Sequence, residues 1–248
     1  MSPFTSSHKV QVLLKAQTDD HAYESLLFGA GHSGINTRVA VRIPRAPASD
    51  PSGLIGDGTF VGEHPSVAND NGIFDGMLEV ASAAPDWERM STIVRQHLIA
   101  FGSHCDLDSS AVSAGTEWTL VPGGADQDAT MLLYPMRRLP GLSLQQFHDY
   151  WLNVHGRFGI GNENVAGYRQ FHVDHDVSSQ INTELGLGID DFDGIAESFL
   201  PTLEAFQNIK TDEGLTQEVL EDETRFIDYN TSATMELYRY RVLGPAGI

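Results

Sequence analysis

The sequence predicts an α+β protein made of two similar units in tandem. Each is a four-stranded antiparallel sheet with helices on one face, and the two sheets pair within the chain as a pseudo-dimeric barrel. Three observations lead there. A strand, a helix, strands, a helix and a strand succeed one another, and the series then repeats. One motif recurs: Phe74-Asp75-Gly76-Met77-Leu78-Glu79 parallels Phe192-Asp193-Gly194-Ile195-Ala196-Glu197, each on the third strand of its half. A sheet covered by helices on one face must also bury the other, and a second unit can cover it. At 248 residues the chain has room for two ordinary domains. The expected units are 8–124 and 129–243.

In the first unit, Val10, Val12 and Leu14 alternate within a strand at His8–Gln17. A brief helix is expected at Tyr23–Phe28 and a strand at Thr37–Pro44. The segment 44–73 is rich in Gly, Pro, Asp and Ser and reads as a long surface loop or a lid. A strand follows at Phe74–Val80, then a helix with Trp87, Met90, Ile93, Val94, Leu98 and Phe101 as its apolar stripe. Thr116–Val121 closes the unit, and Pro122–Asp126 links the halves.

The second unit opens with a strand at Thr130–Leu139 and a Pro140-Gly141 turn. Ser143 and Gln146 form a capping box. The helix behind it carries Leu144, Phe147, Trp151, Val154 and Phe158 on one face. Strands follow at Val165–Val173 and Phe192–Leu200. A helix starts at Pro201 with Leu203, Phe206 and Ile209 inward, and Thr234–Val242 is the last strand.

The net charge of −19, from 15 basic and 34 acidic residues, disfavours nucleic acid and anionic membrane surfaces as partners. A lone cysteine, Cys105, rules out an internal disulfide framework and fits a reducing cytoplasm. No signal peptide and no membrane span are expected. Nucleotide-binding glycine motifs and the nucleophile elbow are absent from the sequence.

Met136-Arg137-Arg138-Leu139-Pro140-Gly141-Leu142-Ser143, continued by Phe147, Tyr150-Trp151 and Val154-His155, resembles the opening of an EthD domain. Gly167–His172 and Phe192–Glu197 are similar to that family's second and third strands. The resemblance spans about 130–242. It implies a ferredoxin-like unit of the dimeric α/β-barrel superfamily, a group that includes cofactor-free monooxygenases, polyketide cyclases, isomerases, dehydratases and lyases, as well as haem enzymes. The N-terminal half shares only the third strand and the overall pattern.

Within that frame His155 is the candidate general acid/base. Glu197 and His172 are expected to assist it, since a carboxylate between apolar walls becomes a usable acid or base, while Tyr168 or Arg137 is expected to orient the substrate's oxygen. Tyr134, Arg137, Trp151, Gln170 and Asp193 are the expected substrate-binding residues. Tyr168, Gln170, His172 and Asp174 alternate onto one strand face, which is expected to border the pocket. No metal is expected, since His175 points away from His172 and Asp174 on a straight strand, and no cofactor is expected, since the sequence carries no cofactor motif. The expected function is a cofactor-independent lyase, a decarboxylase or dehydratase, acting on a small aromatic or phenolic compound. The alternatives are a cofactor-free monooxygenase of an aromatic or polyketide-like substrate, and a non-catalytic binding or accessory protein. A homodimer or higher homo-oligomer is expected.

Overall fold

A computed structural model describes residues 4–17, 36–43, 74–124, 128–211 and 213–243. The strands are β1 (Thr5–Ala16), β2 (Asn36–Arg42), β3 (Gly76–Ser82), β4 (Cys105–Val121), β5 (Ala129–Met136), β6 (Gly167–Val173), β7 (Gly194–Leu200) and β8 (Glu236–Val242). They close into one barrel in the order β1-β3-β2-β8-β5-β7-β6-β4. Every pairing is antiparallel. The N-terminal strands lie as β4-β1-β3-β2 and the C-terminal strands as β8-β5-β7-β6, the same relative order. The halves meet at the β2–β8 and β4–β6 seams.

The period-two alternation of each strand separates two environments. On β1, Val10, Val12 and Leu14 face outward to Met90 and Val94 of α1 (Trp87–Phe101). Lys9, Gln11 and Leu13, all buried, face the barrel interior. On β6, Tyr168, Gln170 and His172 face outward, while Arg169, Phe171 and Val173 face inward, Phe171 and Val173 within the interior apolar cluster.

The repeated motif does the same work in both halves. Asp75 Oδ2 accepts the Ala16 N–H at 3.0 Å, and Asp193 Oδ2 accepts the Arg138 N–H at 2.7 Å. Gly194 lets the Trp151 ring lie against the strand: a Cβ there would meet it at 2.5 Å. The glutamates enter the barrel, Glu79 opposite Arg38 and Glu197 opposite Arg169.

The strands foreseen along the sequence form, with shifted ends. β4 departs most. It runs 17 residues, because its small-residue stretch, Ser109 to Gly115, continues the strand. Small side chains are needed there: a Cβ on Gly115 would lie 2.1 Å from the His172 carbonyl oxygen. The capping box at Ser143 and Gln146 is present at the start of α2 (Leu144–Tyr150). A π-helical turn (Trp151–His155) and a short helix, α3 (Arg157–Ile160), continue it. Helix α5 (Leu203–Thr211) lies where a helix after Pro201 was expected. Two helices were not foreseen, α4 (His175–Leu185) and α6 (Glu213–Glu223). The expected helix at 23–28, the loop at 44–73 and linker residues 125–126 lie outside the described residues. Among the described residues no helix is long and apolar enough to cross a membrane.

Candidate functional site

The site starts from helix periodicity. Phe147, Trp151 and His155 recur every four residues and are all buried. The Gly156 N–H reaches back to the Trp151 carbonyl at 2.9 Å, one residue farther than in an α-helix, which widens this turn. Such turns recur at functional sites. The outward faces of β5, β6 and β7 lie opposite, and α6 closes a third side. Together they enclose a largely apolar cavity of about 190 Å³, bordered by Tyr134, Trp151, His155, Tyr168, Leu220 and Glu223 among others.

Its polar groups form two sets. His155 Nδ1 lies 2.9 Å from Asp222 Oδ2, and Tyr150 Oη donates to Asp222 Oδ1 at 2.7 Å. Burial pushes the Asp222 carboxyl up, but the Tyr150 and His155 hydrogen bonds outweigh it and hold the group below its ordinary range. An ionised Asp222 assigns the imidazole proton to Nδ1. His155 borders the cavity, and its Nε2 lies 3.9 Å from Glu223 Oε1. Glu223 Oε2 in turn accepts from Tyr229 Oη at 2.9 Å. In the second set, Tyr168 Oη accepts from Trp151 Nε1 and from Gln170 Nε2, both at 3.2 Å. Burial pushes the Tyr168 phenol up to about 12, so it stays protonated.

His155, Tyr168, Trp151 and Tyr134 thus gather at one cavity, with Gln170 directly behind Tyr168. The other expected site residues go elsewhere. Glu197 is the largest correction: it is odd-numbered on β7, like Ile195 and Phe199, and points into the barrel. There Lys9 Nζ contacts Glu197, Glu117 and Glu79 at 2.5, 2.7 and 3.1 Å. Arg38 pairs with Glu79 at 2.8 Å, and Arg169 with Glu117 at 3.5 Å. These three carboxylates lie close enough to share a cation, and the Lys9 ammonium already holds them together. Burial and the neighbouring Glu79 raise Glu197 to about 7; burial also raises Glu79, but Lys9 and Arg38 outweigh it and bring it down to about 2.

His172 faces outward as expected, but borders a second, shallower groove. Its ring is stacked between His148 and Trp151, with centroids 4.4 and 5.0 Å away. Burial, reinforced by His148, lowers its pKa well below the usual histidine value. Arg137 lies over the Phe192 ring and pairs with Asp191. Asp193 binds Arg138 and His175. Both residues sit outside the cavity, where they brace the end of β5. Asp174 caps α4 through the Asp176 and Val177 N–H groups, so His172, Asp174 and His175 do not converge.

Asp222 and Glu223 were missed because α6 was missed. The apolar spacing of Leu215, Val219 and Leu220 carries the helical signal, and an acidic pair at the helix end on its own suggests only solvent exposure. Asp174, Val177, Ile181, Leu185 and Gly186 likewise spell a capped helix, α4, with a left-handed glycine stop.

Residues 139–230 match the family model of the EthD domain. This segment is similar in sequence to an EthD domain. It supplies His155, Tyr168, Asp222 and Glu223, while Tyr134 reaches the cavity from the strand before it. No curated protein matches the chain in sequence. Among solved structures, a "Putative monooxygenase" from Fusobacterium nucleatum is 8% identical, with 100% of this chain and 98% of that chain covered at a TM-score of 0.47. A "Putative monooxygenase" from Lactobacillus acidophilus is 7% identical, with 97% of each chain covered and a TM-score of 0.46. A mutant chlorite dismutase from Candidatus Nitrospira defluvii is 12% identical, with 97% of this chain and 92% of that one covered at 0.43.

The lyase expectation is corrected at this point. These three structures carry monooxygenase and dismutase names, not lyase names. The acid–base set that a decarboxylase or dehydratase was expected to use is also divided: His155 borders the EthD cavity, Glu197 lies inside the barrel, and His172 lies behind the Trp151 ring.

Proposed function

We propose that the EthD cavity performs base-assisted, cofactor-free monooxygenation of a small, electron-rich aromatic compound. The observation that carries this reading is the buried His155–Asp222 pair, whose histidine lines an apolar cavity. A cavity of about 150 Å³ holds a benzene ring, so about 190 Å³ suits a compound of one or two rings. Asp222 orients the imidazole and stabilises its cation, which makes Nε2 a competent base. His155 takes a proton from an acidic ring carbon or phenol, and apolar walls keep the resulting anion electron-rich. That anion reduces O₂. A C–O bond forms, the O–O bond breaks, and R₂CH₂ + O₂ gives R₂C=O + H₂O, with all the electrons coming from the substrate.

The test is oxygen uptake by the purified protein, in chelator, with one- and two-ring phenols and benzylic ketones under ¹⁸O₂. One labelled oxygen per product molecule is expected, with loss of the activity in His155→Ala. Absence of label from every product overturns the reading.

We also read the barrel as two tandem ferredoxin-like units, 8–124 and 129–243, arising by duplication. The shared strand order supports this, as do the matching Asp75/Ala16 and Asp193/Arg138 contacts and the matching Arg38/Glu79 and Arg169/Glu197 pairs. In that alignment Lys9 corresponds to Met131, Gln11 to Leu133, and Glu117 to Tyr240.

A further inference from the structure

We infer that Tyr168 is a hydrogen-bond donor dedicated to an acceptor oxygen of the ligand, held in that role by a relay from His172 through Gln170. The inference rests on the EthD cavity being a small-molecule site and names the class of molecule it selects: aromatic compounds bearing a carbonyl or an equivalent acceptor oxygen.

The argument is a count of hydrogen-bond capacity. A phenol has one O–H to donate and accepts through its oxygen lone pairs. On Tyr168 the lone-pair directions receive the Trp151 Nε1–H and the Gln170 Nε2–H. What remains is the O–H itself, and Tyr168 lines the cavity. A buried donor left without an acceptor is costly, so a ligand oxygen there is favoured over a bare ring edge.

The direction is fixed from behind. His172 stays neutral, and its Nε2 lies 3.1 Å from Gln170 Oε1, an atom that only accepts. The Trp151 carbonyl can only accept, so the amide end 3.0 Å from it is Nε2; Oε1 then faces His172, and the histidine donates to it. The Gln170 Nε2 group then donates both to Tyr168 Oη and to the Trp151 carbonyl, at 3.2 and 3.0 Å. Stacking between His148 and Trp151 stops the His172 ring from turning away. His172 is thus a positioning residue that acts on the cavity without touching it. Substrate carbonyl at Tyr168 and acidic proton at His155 Nε2 also suit one another: a carbonyl acidifies the C–H beside it, and a donor at its oxygen stabilises the enolate formed.

Calorimetric titration with 1-tetralone and with tetralin, the same skeleton without oxygen, tests this. The wild-type protein should bind the ketone about tenfold more tightly. Tyr168→Phe should bring the two affinities together while leaving that for tetralin within twofold, which also reports an intact cavity. In the infrared, the carbonyl stretch of bound 1-tetralone should move to lower frequency in the wild type and return in Tyr168→Phe. His172→Phe, which keeps the stack but removes the donor to Gln170, should give an intermediate preference and a broadened carbonyl band. Equal binding of both probes by the wild type, or a ketone preference that survives Tyr168→Phe, overturns the inference and leaves the cavity reading standing. Binding of neither probe overturns both.

Discussion

Two buried polar regions lie on opposite faces of the same sheet. Inside the barrel, three carboxylates meet a lysine and two arginines, and the Lys9 ammonium contacts all three acids. Beneath the C-terminal helices, the cavity is bordered by one histidine with Asp222 on Nδ1 and Glu223 3.9 Å from Nε2, and by one tyrosine whose oxygen already accepts two hydrogen bonds and whose O–H has no acceptor among the described residues. Both regions bury ionisable groups. In the first, the cations and most carboxylate oxygens are answered within the chain, with Glu197 Oε2 left over, and the ion pairs tie strands of both halves together. In the second, one acceptor and one donor remain over. Burial therefore does not distinguish structural from chemical groups; unspent hydrogen-bonding capacity beside a cavity does.

The sharpest way to break this contrast is Lys9→Met. Three carboxylates would remain in the interior with only Arg38 and Arg169 against them, and removing one partner of a buried ion cluster costs about 3–5 kcal/mol. Denaturant unfolding should show a loss of that size, and a variant of wild-type stability would mean that the interior is wetter than its burial indicates. His155→Ala should do the opposite. Turnover should fall by about 10²–10⁴-fold, the range for loss of a general base, with a smaller stability loss than Lys9→Met because Asp222 keeps the Tyr150 hydrogen bond.

Glu197 offers a test by pH. Its folded pKa of about 7 lies above the ordinary glutamate value, so the native state holds an extra proton between them. Stability should therefore fall as pH rises from about 4.5 to about 7. Glu79, at about 2, and Glu117, also lowered, act in the reverse sense and lose their contribution as pH falls below the ordinary range. Glu197→Gln should flatten the upper limb of the stability–pH curve and leave the acid limb in place. An unchanged upper limb would assign the slope to another group. Smallest of all is Ser143→Ala. Loss of the capping box at α2 should cost about 1 kcal/mol, read as a lower thermal midpoint. A larger fall would show that the cap also holds the wide turn carrying His155.

Where the contrast was legible in the sequence, periodicity carried it. Phe147, Trp151 and His155 share a helical face by spacing alone, and Tyr168, Gln170 and His172 share a strand face. Both faces border the EthD side of the sheet. Glu197 shows where the same reasoning stopped. Alternation puts it opposite Tyr168's neighbours in a definite phase, but which face of β7 meets helices and which meets the barrel interior depends on closure of the sheet. Lys9, at the other end of the chain, gave no local sign that it would hold Glu197.

The sequence by itself determined the strands, the capped helix, the repeated Asp-Gly-x-x-Glu element and the family resemblance of the C-terminal half, because each rests on neighbours within a few residues. Tertiary structure decided which acids meet which bases. Asp222 reaches His155 across 67 positions, and Glu197 reaches Lys9 across 188. Such pairings follow from barrel closure and from the packing of α6 over the sheet. Coulomb and hydrogen-bond energies act over a few ångströms of space, whatever the separation along the chain.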